Sequence, residues 1–398
     1  MPVVRLKAGH VQPVWAGHPW VYAQAVERVE GGALPGDTID VVDPRGNFLG
    51  RGFYSPKSAI VVRILSRSQD AKLDTAFFRE RIARALALRK DLGLPSGATD
   101  GYRLVHAEGD GLPGLIVDRF DDAVAVQFLT LGMKRHEGAV LEALRDVLAP
   151  KAIVDRTPDA TAKTEGFAPN DDRSRVLRGE DLKELVFKER GFRFRVSLEV
   201  GQKTGYYFDQ RPLRTRIEEL ARGRTVLDTY CFLGSIALAA ARGGAKDVVA
   251  VDESAAALQM GALAAQENGL ASAIRFERRD ARKALAEVGE SGGRELVIVD
   301  PPRLAPTRAA RDNALVAYAK LAELGARATK PGGILVFCSC SGAVDVGALT
   351  RALAMGALRA NVTATVLERL FQGPDHPVLA AFPEGLYLKC LVARIDPR

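Results

Sequence analysis

The residues with the most chemistry to offer lie between Thr225 and Ser254, TVLDTYCFLGSIALAAARGGAKDVVAVDES. An apolar run reaches Asp228, a turn carries Cys231 and Gly234, and a small-residue helix covers Ile236 to Arg242. Gly243-Gly244 stops that helix, and a second apolar run, Val248 to Val251, ends at Asp252. Strand, tight turn, helix and strand make half of a Rossmann-like unit, whose ligand sits where strands end and helix N-termini point. Asp252 follows Asp228 by 24 residues, close to the spacing of about 20 from glycine turn to ribose-binding carboxylate. The dinucleotide fingerprint G-x-G-x-x-G is absent. The form D-x-x-C-x-x-G, with a carboxylate after the next strand, suits a ligand with a ribose and no pyrophosphate, such as S-adenosylmethionine. The competing reading is that Asp228 and Asp252 only cap strands in an ordinary α/β domain.

Three more groups fall on the same edge. Ser254 and Asn268-Gly269 bound the next helix. Strands are expected at Ile274 to Glu277, Leu296 to Val299 and Ile334 to Cys338, the last begun by Gly332-Gly333. Asp280, Asp300-Pro301-Pro302 and Cys340 follow them. Asp252, Asp280, Asp300 and Cys340 are therefore expected at one edge of a parallel sheet, where α/β folds bind ligands. Upstream, a strand Phe192 to Val200 leads into Gly201–Arg211, a loop dense in hydrogen-bonding and aromatic groups.

The 398-residue chain has room for two or three domains. Its 47% apolar and 26% charged content is that of a globular protein. A net charge of +7 is compatible with a polyanionic partner. Four cysteines show neither a disulfide framework nor metal-ligand spacing. The opening MPVVRLKAGH has no signal-peptide core, and no run nears the ~18 apolar residues of a membrane span. A cytoplasmic protein without membrane contact is expected.

Residues 1–73 read as short strands with tight turns, a small β-barrel. His18, Trp20 and Tyr22 could contact RNA or simply pack. Arg51, Lys57, Arg63 and Arg67 could reach phosphates or be solvated strand faces. A helix over Phe77–Leu92 opens a middle α+β domain and linker, 74–190. It has strands at Tyr102–Ala107, Leu115–Asp118, Ala123–Leu129 and Ala152–Asp155, and a helix at His136–Leu148. Residues 157–184, with Pro169-Asn170-Asp171-Asp172-Arg173, read as a surface linker with room for a short structured piece. The Rossmann-like domain takes 191–398.

The motifs HPWVY, GDTIDVVD, GRGFYSP, YRLVHAEGDGLPGLIVDRF, GQKTGYYFDQR, LDTYCFLG, VDPP, CSCS and DHPVLAAFPEGLYLK span nearly the whole chain. With them the sequence resembles the large-subunit rRNA cytosine-C5 methyltransferases that carry an N-terminal PUA domain. GQKTGYYFDQR, CSCSG and FPEGLYLK are the specific ones. The resemblance implies a PUA barrel, a middle domain and a class I methyltransferase domain. It also implies S-adenosylmethionine as cofactor and 23S rRNA as partner; a homodimer is left open. It makes Cys340 and Asp300 catalytic, and Gln210, Arg211, Asp228, Gly234, Asp252, Asp280 and Asp300 cofactor-binding. Two stretches depart from the family. The cofactor turn reads Phe232-Leu233-Gly234-Ser235 where Tyr-Thr-Gly-Gly is usual, and Val316-Ala317-Tyr318-Ala319-Lys320 keeps only the tyrosine of an Arg-Gly-Tyr-Lys-Asp-like run.

The chemistry implied follows from cytosine, whose carbon 5 is a poor nucleophile. A thiolate adding to carbon 6 makes an enamine that takes the methyl group; a base removes the carbon-5 proton and the thiolate leaves. The base must be flipped out or single-stranded. Cys340 matches the nucleophile, and Cys338 is expected in the sheet packing. Asp300 is expected at the cytosine amino and ring nitrogens. Arg303, where an aromatic residue would follow Asp-Pro-Pro, argues against an amino-group methylase. His376 and Lys389 are given no catalytic role. The alternatives are a non-catalytic RNA-binding protein with a diverged methyltransferase domain, and an amino-group RNA methyltransferase.

Overall fold

The computed structural model describes residues 1–168, 176–199, 204–305, 307 and 309–398. These form two units: Met1–Tyr206 with Pro374–Gly385, and Tyr207–Gly373 with Leu386–Arg398. Among the described residues no helix is long and apolar enough to cross a membrane.

The first unit holds two larger sheets. One has six strands in the order Trp20–Tyr22, Ile60–Ser66, Phe48–Tyr54, Thr38–Val42, Val3–Leu6, Val26–Glu30. Its pairings are antiparallel except for Val3–Leu6 on Thr38–Val42. Alternation along these strands buries Val4, Leu6, Val21, Ile39, Val41 and Val62 in one core. Strands this close leave no space at Gly52, where a Cβ would stand 2.0 Å from the Arg63 carbonyl oxygen. The other sheet runs Val176–Gly179, Ala152–Asp155, Ala123–Phe128, Leu115–Phe120, Gly101–His106. The helices Thr75–Asp91 and Glu137–Leu148 pack Phe78, Ile82, Val140 and Leu144 against Leu104, Val117 and Val126.

Several expectations change here. Within 157–184 there is a helix, Asp159–Glu165, in which Ala162 is buried, and a sheet strand, Val176–Gly179, whose Leu177 packs on an apolar core that local composition does not show. The helix expected at His136–Leu148 is present as Glu137–Leu148, and a further short helix, Leu131–Arg135, precedes it. The strand from Phe192 ends at Ser197, as half of a hairpin with Glu184–Glu189. Pro169–Arg173, Val200 and Gly201–Lys203 lie outside the described residues.

The cations and aromatics of the N-terminal third are largely used by the fold. Arg51 is buried and gives both Nε and Nη2 to Asp40. Arg67 donates to the carbonyls of Val14, His18 and Leu49. A guanidinium spent this way is not free for a phosphate, so Arg51 and Arg67 are structural; Lys57 is exposed and Arg63 half-buried. Trp20 packs edge-on to Phe382 at 4.5 Å and donates Nε1–H to Glu108 at 2.8 Å. His18 meets Phe382 at 5.5 Å. The packing reading of the aromatic trio holds.

The second unit is one seven-stranded sheet. Its order is Ile274–Arg278, Asp247–Asp252, Thr225–Thr229, Arg294–Val299, Thr329–Ser339, Lys389–Pro397, Val362–Phe371. Numbered along this unit, the order is 3-2-1-4-5-7-6. The first five strands are parallel, and Lys389–Pro397 runs antiparallel to both of its neighbours, so the sheet is mixed. The inner parallel strands Asp247–Asp252, Thr225–Thr229 and Arg294–Val299 are buried on both faces, which is why they read as largely apolar runs, whereas the edge strand Ile274–Arg278 is partly exposed. Strand order reverses between Thr225–Thr229 and Arg294–Val299, the switch point at which such sheets open a ligand crevice. Helix starts are set by side chains: Ser254, Asp280 and Asp345 each accept a backbone N–H in the first turn of the helices they precede.

Candidate active site

At the switch point the chain leaves its first strand through a strained turn. Tyr230, Phe232 and Gly234 all have left-handed backbone, at φ of 60°, 50° and 65°. Two non-glycine residues in that region cost on the order of 1–3 kcal/mol each, a burden that clusters at functional sites. Asp252 holds the turn, accepting the Phe232 N–H at 2.9 Å on one oxygen and the Ser254 N–H at 2.9 Å on the other. Each oxygen keeps acceptor capacity for a further donor, as a pair of ribose hydroxyls would provide. Gly234 is among the expected cofactor-binding residues. Its φ and the Phe276 ring, 2.6 Å from where a Cβ would stand, require glycine before any ligand does.

Below the turn lies Asp228, 1% exposed. Neither carboxyl oxygen has a standard hydrogen-bond partner among the described residues. Burial pushes its pKa well up, Asp300 adds to the rise, and the Ala237 N–H opposes it. Burial of this kind favours the protonated carboxyl, whose O–H can donate to an acceptor.

The four strand-end groups, Asp252, Asp280, Asp300 and Cys340, are half-buried alike. Gln210 donates Nε2–H to Asp300 at 2.6 Å, bringing two of the expected residues into contact. Arg211 begins the helix Arg211–Leu220 with its guanidinium 6.0 Å from the Phe208 ring centre. The Tyr207 ring stands edge-on to Phe232 at 5.3 Å. Burial, then Asp209 and Asp300, push the Tyr207 phenol well up, so it is a neutral donor. Asp280 sits beside Asp252, since the Arg279 N–H donates to the Asp252 carbonyl. Its carboxylate is drawn onto its own helix: the Lys283 N–H and then Arg282 hold its pKa below the usual range.

Cys340 lies one residue beyond its strand, between two fully buried serines. Ser339 Oγ donates to the Tyr318 hydroxyl at 2.9 Å, and that hydroxyl lies 3.1 Å from Ser341 Oγ. Ser341 Oγ also accepts the Ala305 N–H at 3.1 Å, tying the frame to the segment after Asp-Pro-Pro. Cys231, Cys338 and Cys390 are buried, and burial followed by Cys390 drives the Cys338 thiol up. The Tyr318 frame, the buried Arg214 donating to the Tyr207 carbonyl at 3.0 Å, and the buried Lys389 were missed by sequence reasoning. The signal available for the first was Ser-Cys-Ser, two hydroxyls two residues apart around a thiol. No group of His, Cys, Asp and Glu among the described residues can hold a metal.

A family model described as a PUA-like domain matches residues 4–67, and one described as S-adenosylmethionine-dependent methyltransferase matches 102–392. A protein of Shewanella denitrificans named ribosomal RNA large subunit methyltransferase I is 37% identical over 396 residues, covering 98% of this chain and 99% of the relative. Its namesake in Alteromonas mediterranea is 36% identical, covering 95% of each chain. A solved Streptococcus mutans structure described as a SAM-dependent methyltransferase shares the fold at 18% identity, with a TM-score of 0.85 over 99% of this chain and 100% of its own.

Proposed function

Because the chain belongs to the S-adenosylmethionine-dependent methyltransferase family and carries a PUA-like domain, we propose that it methylates carbon 5 of a cytosine in 23S rRNA through a covalent Cys340 adduct. The rRNA substrate is that named for its relatives. The observation that carries the reaction type is the contrast among thiols: Cys340 alone of the four cysteines is not buried, and it stands on the ligand edge of the sheet.

S-adenosylmethionine, when bound, supplies the electrophilic methyl. Asp252 orients its ribose, Asp280 stands by the adenine, and Asp228, Gly234, Gln210 and Arg211 line the remainder. The unpartnered carboxyl of Asp228 and the strained turn above it fit such a ligand. Asp300 takes the cytosine amino and ring nitrogens, and Gln210 holds it in place at 2.6 Å. Cys340 bonds to carbon 6 and leaves after the carbon-5 proton is lost. In this reading residues 1–73 add RNA affinity, 74–190 connect, and 191–398 do the chemistry.

The test is transfer of labelled methyl from S-adenosylmethionine to unmodified 23S rRNA, followed by nucleoside mass spectrometry. 5-Methylcytidine is expected. An N-methylated base in its place would establish the amino-group alternative, and absence of transfer the non-catalytic one.

The cofactor assignment has its own test. A hydrogen bond to a charged acceptor is worth roughly 1.5–3 kcal/mol. Asp252→Ala is expected to weaken S-adenosylmethionine binding by about tenfold to a hundredfold in calorimetry, and unchanged affinity would sink the assignment.

A further inference from the structure

Lys389 opens the strand Lys389–Pro397, pairs in register with Ser339, and is 2% exposed. Its Nζ donates to the Ser341 carbonyl at 2.7 Å. The amine is thus fixed to the residue after Cys340 and stands opposite the residue before it. An ammonium has three N–H donors, and Ser341 is the one hydrogen-bond partner of this one among the described residues. A buried ammonium so poorly served calls for a nearby anion.

We propose that Lys389 is the proton acceptor and counter-ion that generates the Cys340 thiolate. The Cys340 S–H bond breaks, its proton passes to the neutral amine of Lys389 to give the ammonium, and sulfur keeps the electron pair that then bonds to carbon 6. When the thiolate leaves at the end of the cycle, the pair is restored. This deepens the cysteine reading above and rests on it for its purpose, although the ionisation itself is measured without substrate.

The electrostatics agree in sign. Burial pulls the Lys389 ammonium down, Cys340, then Asp345 and Cys390, oppose the fall, and the balance leaves it at about 8. A value this far below that of an ordinary lysine leaves neutral amine available to take the Cys340 proton near neutral pH. What a thiolate does for the lysine the ammonium does in return, favouring the ionised sulfur. The other groups facing the pair work less directly. Arg303 opposes the Lys389 charge but is exposed and screened. Tyr207 and Tyr318 have phenols held up by burial, with Cys340 adding to the rise in both, so they are neutral beside it.

The experiment is the pH profile of iodoacetamide alkylation of the full chain, with Cys340→Ala subtracted to isolate the one thiol. Wild type is expected to show an inflection below the ordinary cysteine value of about 8.5. Lys389→Met should raise it by about one pH unit or more, a loss of about tenfold in alkylation rate at pH 7, and Lys389→Arg should keep it low. A wild-type inflection at or above the ordinary value would overturn the proposal by itself, whether or not the variants fold. So would equal inflections in wild type and Lys389→Met. A lowered, lysine-dependent inflection in a protein that makes no 5-methylcytidine would retain the pair and refute the proposed reaction, so the two failures are distinct.

Discussion

Cys340→Ala is expected to abolish methyl transfer to RNA while leaving S-adenosylmethionine and RNA binding near wild type. Loss of a covalent nucleophile costs roughly 10⁴-fold or more in rate, because no neighbouring group can take over the bond to carbon 6. The half-exposed position of Cys340 means that its truncation opens no core cavity. Cys338→Ala removes a fully buried sulfur and should cost on the order of 1 kcal/mol of stability with much activity retained. RNA containing 5-fluorocytosine separates the two, since fluorine at carbon 5 cannot depart as a proton. Wild type and Cys338→Ala should form an adduct that survives denaturing gels, and Cys340→Ala should not. An adduct that persists in Cys340→Ala and vanishes in Cys338→Ala would reverse the assignment.

The largest expected loss of stability lies in the first unit. Arg89 is fully buried and gives Nη1 and Nη2 to the two oxygens of Asp110, at 2.6 and 2.8 Å. Its Nε donates to the Arg103 carbonyl, and Nη2 also to that of Asp375. Asp110→Ala leaves a dry guanidinium with carbonyls alone, which should cost about 3–5 kcal/mol. Asp146→Ala breaks the exposed pair with Arg79 and should leave the midpoint close to wild type, because solvent screens such pairs. Replacing both partners, Arg89→Met with Asp110→Leu, should recover much of the loss, because no charge is then stranded. Both tryptophans, Trp15 and Trp20, lie in this unit, so the urea midpoint of tryptophan fluorescence reads it directly. Equal midpoints for Asp110→Ala and Asp146→Ala would show that the buried pair carries no special weight.

The sequence by itself determined the ligand edge of the second unit. A strand buried on both faces must be apolar throughout, so the first charged or thiol residue after such a run marks where the strand ends. Asp252 and Asp300 were legible for that reason; Asp280 and Cys340 were placed by their position after the next strands of the alternating pattern, and Cys338 by the apolar run it ends. Ser254 as a helix cap was legible because capping is local. The strands Val362–Phe371 and Lys389–Pro397 escaped notice. The first is an edge strand whose residues alternate between half-buried and exposed, so its apolar signal is diluted. The second opens on a lysine whose burial depends on Ser339 and Ser341 some fifty positions earlier in the chain. The same holds for Tyr318, which looked like the remnant of a lost motif until the fold set its hydroxyl between the serines that flank Cys340. Arg51 looked like a phosphate ligand until Asp40 was found against it. Periodicity and caps act over a few residues and are written in order along the chain. Whether a charge is solvated, paired or stranded depends on which distant segment packs over it, and only the tertiary structure decides that.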